Sequence, residues 1–315
     1  MPVAVILLAL AALASLSLFV GAIDMSPADL WRDPEALRLM LVSRLPRTLA
    51  AMLAGASLAV TGQIMQVLAR NRFVEPMTAG AGQSAALGIL AATLFVPGAP
   101  VWIKMLIAAG ATLIGSVGLL LMIRRLPPTQ PLLVPLVALV YGGVIGAAVT
   151  FVAYQGDMLQ FVQIWLTGEL SGVLQGRYEL LWIAGGVALG TWFIADRVTV
   201  LALGDAAGRA LGVNVAAVTA AGLAAISLVT ALTVVTLGAI SFIGLVVPNL
   251  VSRLIGDNLR AGLPLTASLG ALLVLGADML GRVVRMPYEI PASAMTGVIG
   301  AALFLALILR EPKHG

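Results

Sequence analysis

The most constraining feature of this sequence is an uncharged stretch, residues 48–69, that arginine-containing segments bracket on both sides. As an α-helix it would be about 33 Å long, which matches the hydrocarbon thickness of a bilayer, about 30 Å. Uncharged runs recur along the whole chain, at 2–23, 48–69, 76–103, 105–123, 126–156, 180–195, 210–252, 261–277 and 290–309. The run 210–252 is too long for one crossing, and we expect Gly238 and the stretch Gly244–Pro248 to divide it. The sequence therefore predicts ten membrane-spanning helices.

The composition agrees with this interpretation. Of 315 residues, 61% are hydrophobic and 10% are charged, against about 25% charged in soluble proteins. The apolar runs are continuous rather than alternating in short segments, which favours helices over a β-barrel. We therefore predict an all-α polytopic membrane protein with one transmembrane domain, residues 1–315. Residues 2–23 lack a basic leader, so we interpret them as a retained first helix rather than a signal peptide.

The distribution of charge predicts an orientation. Ten crossings place both termini on one side, and a cytoplasmic N-terminus puts ten basic residues inside and eight outside, in agreement with the positive-inside rule. The sequence thus predicts a multi-pass protein of the inner (cytoplasmic) membrane with both termini in the cytoplasm. The basic residues lie at the ends of the spans, so the partner they indicate is the lipid bilayer and no nucleic acid. Residues 24–43 are expected to form short helices outside the bilayer, started by Ser26 and Asp33.

Several kinds of chemistry are excluded by residues that the sequence lacks. No phosphate-binding loop of the pattern Gly-x4-Gly-Lys-Ser/Thr occurs, cysteine is absent, and the one histidine is His314. We therefore predict no catalytic residue, no cofactor and no metal site. The acidic residue nearest to mid-span is Asp278, and Arg282 four residues later would neutralise it on a helix. A proton- or sodium-coupled carrier usually needs an intramembrane acid.

Residues 204–214 form one connection whose pattern suggests a function. Asp205 can cap a two-turn helix that Gly212 ends. Three glycines would give this helix a smooth face that another backbone could approach, namely Gly204, Gly208 and Gly212. A docking element has such a face, but an ordinary tight connection explains the same residues equally well.

Two polar pairs could line a pathway. Thr129 and Gln130 follow a proline-rich turn just before a span, where they could form a constriction or only cap the next helix. Gln63 and Gln66 lie three residues apart inside an apolar span, and therefore on one helix face. A polar amide in hydrocarbon requires a partner, so these glutamines indicate either helix–helix hydrogen bonds or a wet pathway.

Five motifs, in order along nearly the whole chain, resemble those of one family. They are RLPRTL with GASLA (44–49, 55–59), QVLARNRFVEP (66–76), GDAAGRALGVN (204–214), FIGLVVP (242–248) and ADMLGRVVRMPYEIP (277–291). In these motifs the chain is similar to the FecCD-type membrane-spanning permease subunits of ABC importers for ferric siderophores, haem and vitamin B12.

The resemblance implies a fold and a set of partners. It implies the type II importer permease fold with ten helices per subunit, a second permease subunit in a homo- or heterodimer, separate ABC ATPase subunits and a substrate-binding protein. It implies that 204–214 couples to the ATPase, through Gly204, Asp205, Gly208, Arg209, Leu211 and Gly212. It further implies binding-protein contacts at Arg44 and Arg282, with the neighbours Arg47 and Arg285 ranked lower, and a cytoplasmic gate at Thr129 and Gln130.

The chain departs from the family pattern at three places. Asn249 stands where histidine is frequent, Arg72 replaces a proline, and Ala292-Ser293 follows the final motif in place of Val/Ile-Gly. The resemblance favours a ferric siderophore as cargo, with vitamin B12 or haem as the alternatives. A secondary carrier or channel that works alone is the alternative from another class.

Overall fold

The structure, a computed structural model, describes residues 2–21, 25–127, 130, 132–286 and 288–309, and these residues form helices and connections without a β-strand. The helices are α1 (Pro2–Phe19), α2 (Asp29–Arg32), α3 (Pro34–Leu39), α4 (Leu45–Leu68), α5 (Ala81–Phe95), α6 (Val101–Ile123), α7 (Leu133–Gln155), α8 (Leu159–Leu166), α9 (Leu180–Gly190), α10 (Ala195–Leu201), α11 (Asp205–Ala210), α12 (Val215–Leu237), α13 (Ile243–Ile255), α14 (Leu259–Val283) and α15 (Ala292–Leu309). A π-helical turn (Met40–Arg44) joins α3 to α4, and a 3₁₀ turn (Thr191–Ile194) joins α9 to α10. The predicted all-α class is confirmed.

The number of apolar helices also agrees with the prediction. Seven helical segments of the described chain are long and apolar enough to cross a membrane. They are Pro34–Leu68, Val101–Ile123, Leu133–Gln155, Leu180–Leu201, Val215–Leu237, Leu259–Val283 and Ala292–Leu309. Three shorter apolar helices, Val3–Phe19, Ala81–Phe95 and Ile243–Ile255, bring the total to the ten that the sequence predicts.

The long apolar run after α11 holds two helices, but one of its two expected breaks is wrong. α12 ends before Gly238 as expected, whereas the stretch Gly244–Pro248 lies inside α13. Pro248 has no N–H for the carbonyl of Gly244, and the side-chain amide of Gln66 donates to that carbonyl instead (3.1 Å). The helix continues because a neighbouring helix supplies the missing donor.

Helix α4 is the central element of the bundle, and it packs on α14, α12, α13 and α9. Small residues permit its closest contact. A Cβ atom built on Gly55 would lie 2.2 Å from the carbonyl oxygen of Gly270, and one built on Gly270 would lie 2.3 Å from that of Gly55. The backbones of α4 and α14 therefore touch where only glycine fits.

Helices α7 and α15 have the opposite character. In an apolar stretch of 18 residues, α7 is 22% buried and α15 is 17% buried, against 78% for the span that contains α4. Both helices are apolar along most of their length. Each therefore presents a wide apolar surface outwards.

The short helices before α4 match one predicted start and not the other. Asp33 caps α3, since its carboxylate accepts the N–H of Glu35 (2.9 Å). Ser26 does not cap α2, whose N-cap is Ala28, because its hydroxyl donates to the carboxylate of Asp29 (2.7 Å). We call the end of the bundle that carries these helices the α3 end, and the opposite end the α11 end.

Candidate coupling and docking sites

At the α11 end, the predicted coupling residues form the short helix α11 and the turn that follows it. The turn is closed by hydrogen bonds from the N–H of Gly212 to the carbonyl of Arg209 and from the N–H of Val213 to that of Gly208. Gly212 has φ of +76°, as the residue after a helix requires in this turn. The predicted helix end is thus present, two residues after the last helical residue.

Asp205 does not cap α11, contrary to expectation. Gly204 is the N-cap residue, and Asp205 is the first residue of the helix itself. From that position the Asp205 carboxylate reaches outwards and forms an ion pair with Arg70, at the end of α4. Asp205 therefore connects α11 to the end of α4 rather than capping α11.

The predicted smooth glycine face is divided between two environments. Gly208 is buried and faces its own chain, with Leu201 and Val215 as the neighbours that a Cβ would meet. Nothing lies within 4 Å of the Cβ positions of Gly204 and Gly212. The exposed surface of this region is made by apolar and basic side chains, among them Leu203, Arg209 and Leu211.

The predicted gate is partly visible. Thr129 lies outside the described residues, whereas Gln130 is exposed and its N–H donates to the carbonyl of Pro127 (3.2 Å). Gln130 lines a cavity of about 620 Å³ together with Arg70, Asn71 and Asp205. One predicted gate residue, Gln130, and one predicted coupling residue, Asp205, therefore line the same cavity at the α11 end.

Gln63 and Gln66 both make hydrogen bonds between helices. The side-chain oxygen of Gln63 accepts from the hydroxyl of Thr266 on α14 (2.9 Å). The side-chain amide of Gln66 donates to the carbonyls of Gly244 (3.1 Å) and Leu245 on α13. Of the two interpretations left open by the sequence, these contacts match helix–helix bonding, and both residues also line a second cavity, of about 440 Å³.

Glu75 is a buried acid that the sequence analysis missed. It lies in the connection between α4 and α5, outside the spanning helices, and is 1% exposed. Its carboxylate accepts the N–H of Phe242 at the start of α13 (2.8 Å). Burial raises the pKa of Glu75 to about 7, although backbone N–H groups at the start of α13 and the side chain of Thr78 counteract the rise. The neighbouring sequence, which includes Arg70 and Arg72, gave no signal of this burial, because the partner of Glu75 lies at the start of α13.

At the α3 end, four charged groups from α4, α14 and the connection after α14 form one cluster. The side chain of Arg282 donates to Asp278 through Nε (2.9 Å), as the four-residue spacing predicts. Arg47 donates to Asp278 (2.8 Å) and also pairs with Glu289 (2.9 Å). Asp278 therefore holds two arginines at once.

Two of the predicted docking arginines also close the end of α1. Arg282 donates to the carbonyls of Ser17 (3.2 Å) and Val20 (3.1 Å), and Arg44 donates to that of Leu18 (3.0 Å). The last carbonyls of a helix have no partner within it and attract cations. These contacts therefore attach α1 to α4 and α14.

The four predicted docking arginines differ in exposure. Arg44 and Arg282 are 7% and 4% exposed, and Arg47 is largely enclosed between Asp278 and Glu289. Arg285 is exposed, with its guanidinium 5.8 Å from the centre of the Tyr288 ring. Of the four, Arg285 alone presents its charge at the surface in this structure.

Ten apolar helices among the described residues, with charged groups gathered at the two ends of the bundle, define a polytopic membrane protein. Comparison with known proteins identifies the family. The model of the FecCD transport family matches residues 7–310, and the chain belongs to that family.

Individual relatives match over nearly their whole length. The petrobactin import system permease protein of Bacillus subtilis (strain 168) is 39% identical over 303 residues, 96% of each chain. The ferric-anguibactin transport system permease protein of Vibrio anguillarum is 38% identical over 309 residues, 98% of each chain. Among solved structures, a metal-chelate type ABC transporter in an inward-facing conformation superposes with a TM-score of 0.82 at 26% identity, covering 98% of this chain and 99% of the other. The chain therefore has the type II permease fold.

Proposed function

We propose that this chain is the membrane-spanning permease subunit of an ABC importer that carries a ferric siderophore. The observation that carries the proposal is the end-to-end similarity to permeases named for petrobactin and ferric-anguibactin import. The chain has no phosphate-binding loop of its own, so the proposal assigns ATP hydrolysis to separate ATPase subunits. In this scheme the protein lies in the inner membrane, with the α11 end and both termini in the cytoplasm.

The contact with the ATPase is assigned to α11 and the residues that flank it. Exposed Leu203, Arg209 and Leu211 form an apolar and basic surface at that end of the bundle. Gly204 and Gly212 are open to an approaching chain, and Gly208 contributes only to packing within this subunit. Asp205 contributes from the same helix through its ion pair with Arg70.

The second permease subunit is assigned to the surfaces of α7 and α15. These are the spans with the least burial and a continuous apolar surface. A pathway between two subunits would be lined by apolar groups, with Gln130 near its cytoplasmic end. Whether the partner is an identical chain or a different permease is decided by purifying the native complex and identifying its subunits by mass spectrometry.

The contact with the substrate-binding protein is assigned to the cluster at the α3 end, with distinct tasks for its arginines. Exposed Arg285 makes the direct charge-assisted contact with an acidic residue of that protein. Buried Arg44 and Arg282, with half-buried Arg47, hold α1, α4 and α14 together beneath it. Reversing Arg285 to glutamate is expected to lower stimulation of ATP hydrolysis by the loaded binding protein more than reversing Arg38 does, an exposed arginine on α3.

Uptake by the reconstituted complex tests the proposed function. Proteoliposomes that contain this permease, its partner permease and the ATPases are supplied with binding protein loaded with a radioactive ferric siderophore. We expect iron to accumulate only when both ATP and the binding protein are present. Uptake by the chain alone without ATP would show a secondary carrier or channel instead, and uptake of vitamin B12 or haem in place of the siderophore would change the cargo.

A further inference from the structure

The connection between α4 and α5 makes contacts with several parts of the bundle. Within residues 70–76, here called the 70–76 segment, each of four side chains reaches a different element. Arg70 pairs with Asp205 on α11, Arg72 pairs with Asp257 between α13 and α14, Phe73 packs edge-on against Phe304 of α15, and Glu75 accepts a hydrogen bond from the start of α13. The segment thus joins α11 to α13, to the turn between α13 and α14, and to α15.

Arg70 occupies a backbone position that favours glycine. α4 ends in a turn in which the N–H of Arg70 bonds to the carbonyl of Val67 and the N–H of Asn71 bonds to that of Gln66. Arg70 has φ of +49°, the conformation in which glycine is usual at this position of the turn. The turn does not require an arginine, and the contact of its side chain with Asp205 explains the residue.

The ion pair of Arg70 and Asp205 bridges a loosely packed region. Arg70 lines both cavities at the α11 end, those of about 620 Å³ and 440 Å³. Helix α11 packs mainly on α10 and α12. The pair is 52% and 37% exposed, and pairs with this exposure contribute little to stability. The ion pair nevertheless connects α11 directly to the end of α4.

Two departures from the family pattern also meet in this segment. The side-chain amide of Asn249 donates to the backbone carbonyl of Arg72 (2.8 Å) and to that of Leu245 (2.7 Å). The guanidinium of Arg72 donates to Asp257 (2.8 Å), which also accepts from the hydroxyl of Ser252. The middle of the segment is therefore held to α13 and its following turn from two directions.

We propose that the 70–76 segment is the mechanical link that passes movement of α11 to α13 and α15, with Arg70 as the positioning residue at its α11 end. The proposal rests on the coupling role proposed for α11. When ATPase closure displaces α11, the ion pair of Asp205 and Arg70 pulls the 70–76 segment in the same direction. Glu75, at the other end of the segment, passes this movement to the start of α13. Without the ion pair, ATP is still hydrolysed, but each hydrolysis moves α13 and α15 less.

Arg70→Gly separates this role from stability. Glycine fits the turn at the end of α4, so we expect the thermal midpoint of the complex to stay the same or rise. Cargo imported per ATP hydrolysed, measured in proteoliposomes with the whole complex, is expected to fall at least threefold. The matched control is Asp196→Asn, because Asp196 forms an exposed ion pair with Arg260 at the same end but outside the segment; its ratio should equal that of the unaltered protein.

Exchange of the two charges completes the test. Arg70→Asp and Asp205→Arg should each lower the ratio, and the double variant should recover at least half of the loss. An unchanged ratio in Arg70→Gly, or no recovery in the double variant, would overturn the link. ATP-driven uptake by the unaltered complex establishes the proposed function independently, whereas its absence would overturn that function and the link together.

Discussion

The two ends of this bundle use the same kinds of residue in opposite ways. At the α3 end, the side chains of Arg282 and Asp278 are 3% and 2% exposed and share a network with Arg47. At the α11 end, Arg72 and Asp257 are 62% and 68% exposed, and each contacts few other charges. A buried charge that loses its partner is costly, whereas an exposed pair is screened and contributes little. We infer that the α3 end is fixed and that the α11 end can be repositioned.

Replacing Asp278 with asparagine should have the largest effect on stability. The change leaves Arg47 and Arg282 enclosed without their shared carboxylate, and breaking such a buried pair costs about 3–5 kcal/mol. We expect a strongly lowered thermal midpoint for the purified protein in detergent. Asp196→Asn, which breaks an exposed pair, is the control, and equal midpoints for the two variants would contradict the buried character of the cluster.

Glu75 is the exception at the α11 end because its charged group is buried. Its contribution to the stability of the protein should depend on pH. Its carboxyl group binds a proton more tightly in the folded protein, with a pKa of about 7 against the usual 4.5. The contribution of Glu75 to stability is therefore fully present below pH 4.5 and is lost as the pH rises through about 7, by about 3 kcal/mol in total. Thermal midpoints measured from pH 5 to pH 8 should fall for the unaltered protein and change less for Glu75→Gln. The same slope in both proteins would exclude Glu75 as the cause.

The close contact of α4 and α14, between the two ends of the bundle, predicts the next effect. At Gly270, an added methyl group would lie 2.3 Å from the carbonyl oxygen of Gly55 on α4. Gly270→Ala should therefore cost about 1–3 kcal/mol as the two backbones separate. Gly110→Ala in α6 has open space at its Cβ, so it should be neutral or slightly stabilising. Chemical denaturation in detergent compares the two, and similar stabilities would show that α4 and α14 can shift apart freely.

Much of the fold could be predicted because it follows from local composition. The uncharged runs gave the ten helices, and the four-residue spacing of Asp278 and Arg282 gave their ion pair. The expected break at Gly244–Pro248 is wrong because the donor that repairs it, Gln66, lies on another helix. The local sequence shows that proline lacks an N–H, but it does not show which side chain elsewhere in the chain donates in its place.

The candidate sites were harder to predict, because exposure and partnership are properties of the packed bundle. Arg44 and Arg285 have similar sequence surroundings, at the ends of apolar spans, yet one is buried against α1 and the other lies at the surface. Asp205 has the spacing of a helix cap, but Arg70 competes for its carboxylate. Glu75 has no sequence neighbour that indicates burial, since its partner is the start of α13.

The smallest expected effect on stability completes the comparison of the two ends. Asp257→Asn removes the exposed partner of Arg72, and such pairs contribute about 0–1 kcal/mol. We expect its thermal midpoint to lie within about 4 °C of that of the unaltered protein, since about 1 kcal/mol shifts the midpoint of a large domain by only about 2–4 °C. Raising sodium chloride to about 1 M, where the Debye length is about 3 Å, should remove even that difference. A loss as large as that of Asp278→Asn would mean that an exposed pair at the α11 end is as costly to break as the buried cluster at the α3 end, which would contradict the difference between the two ends.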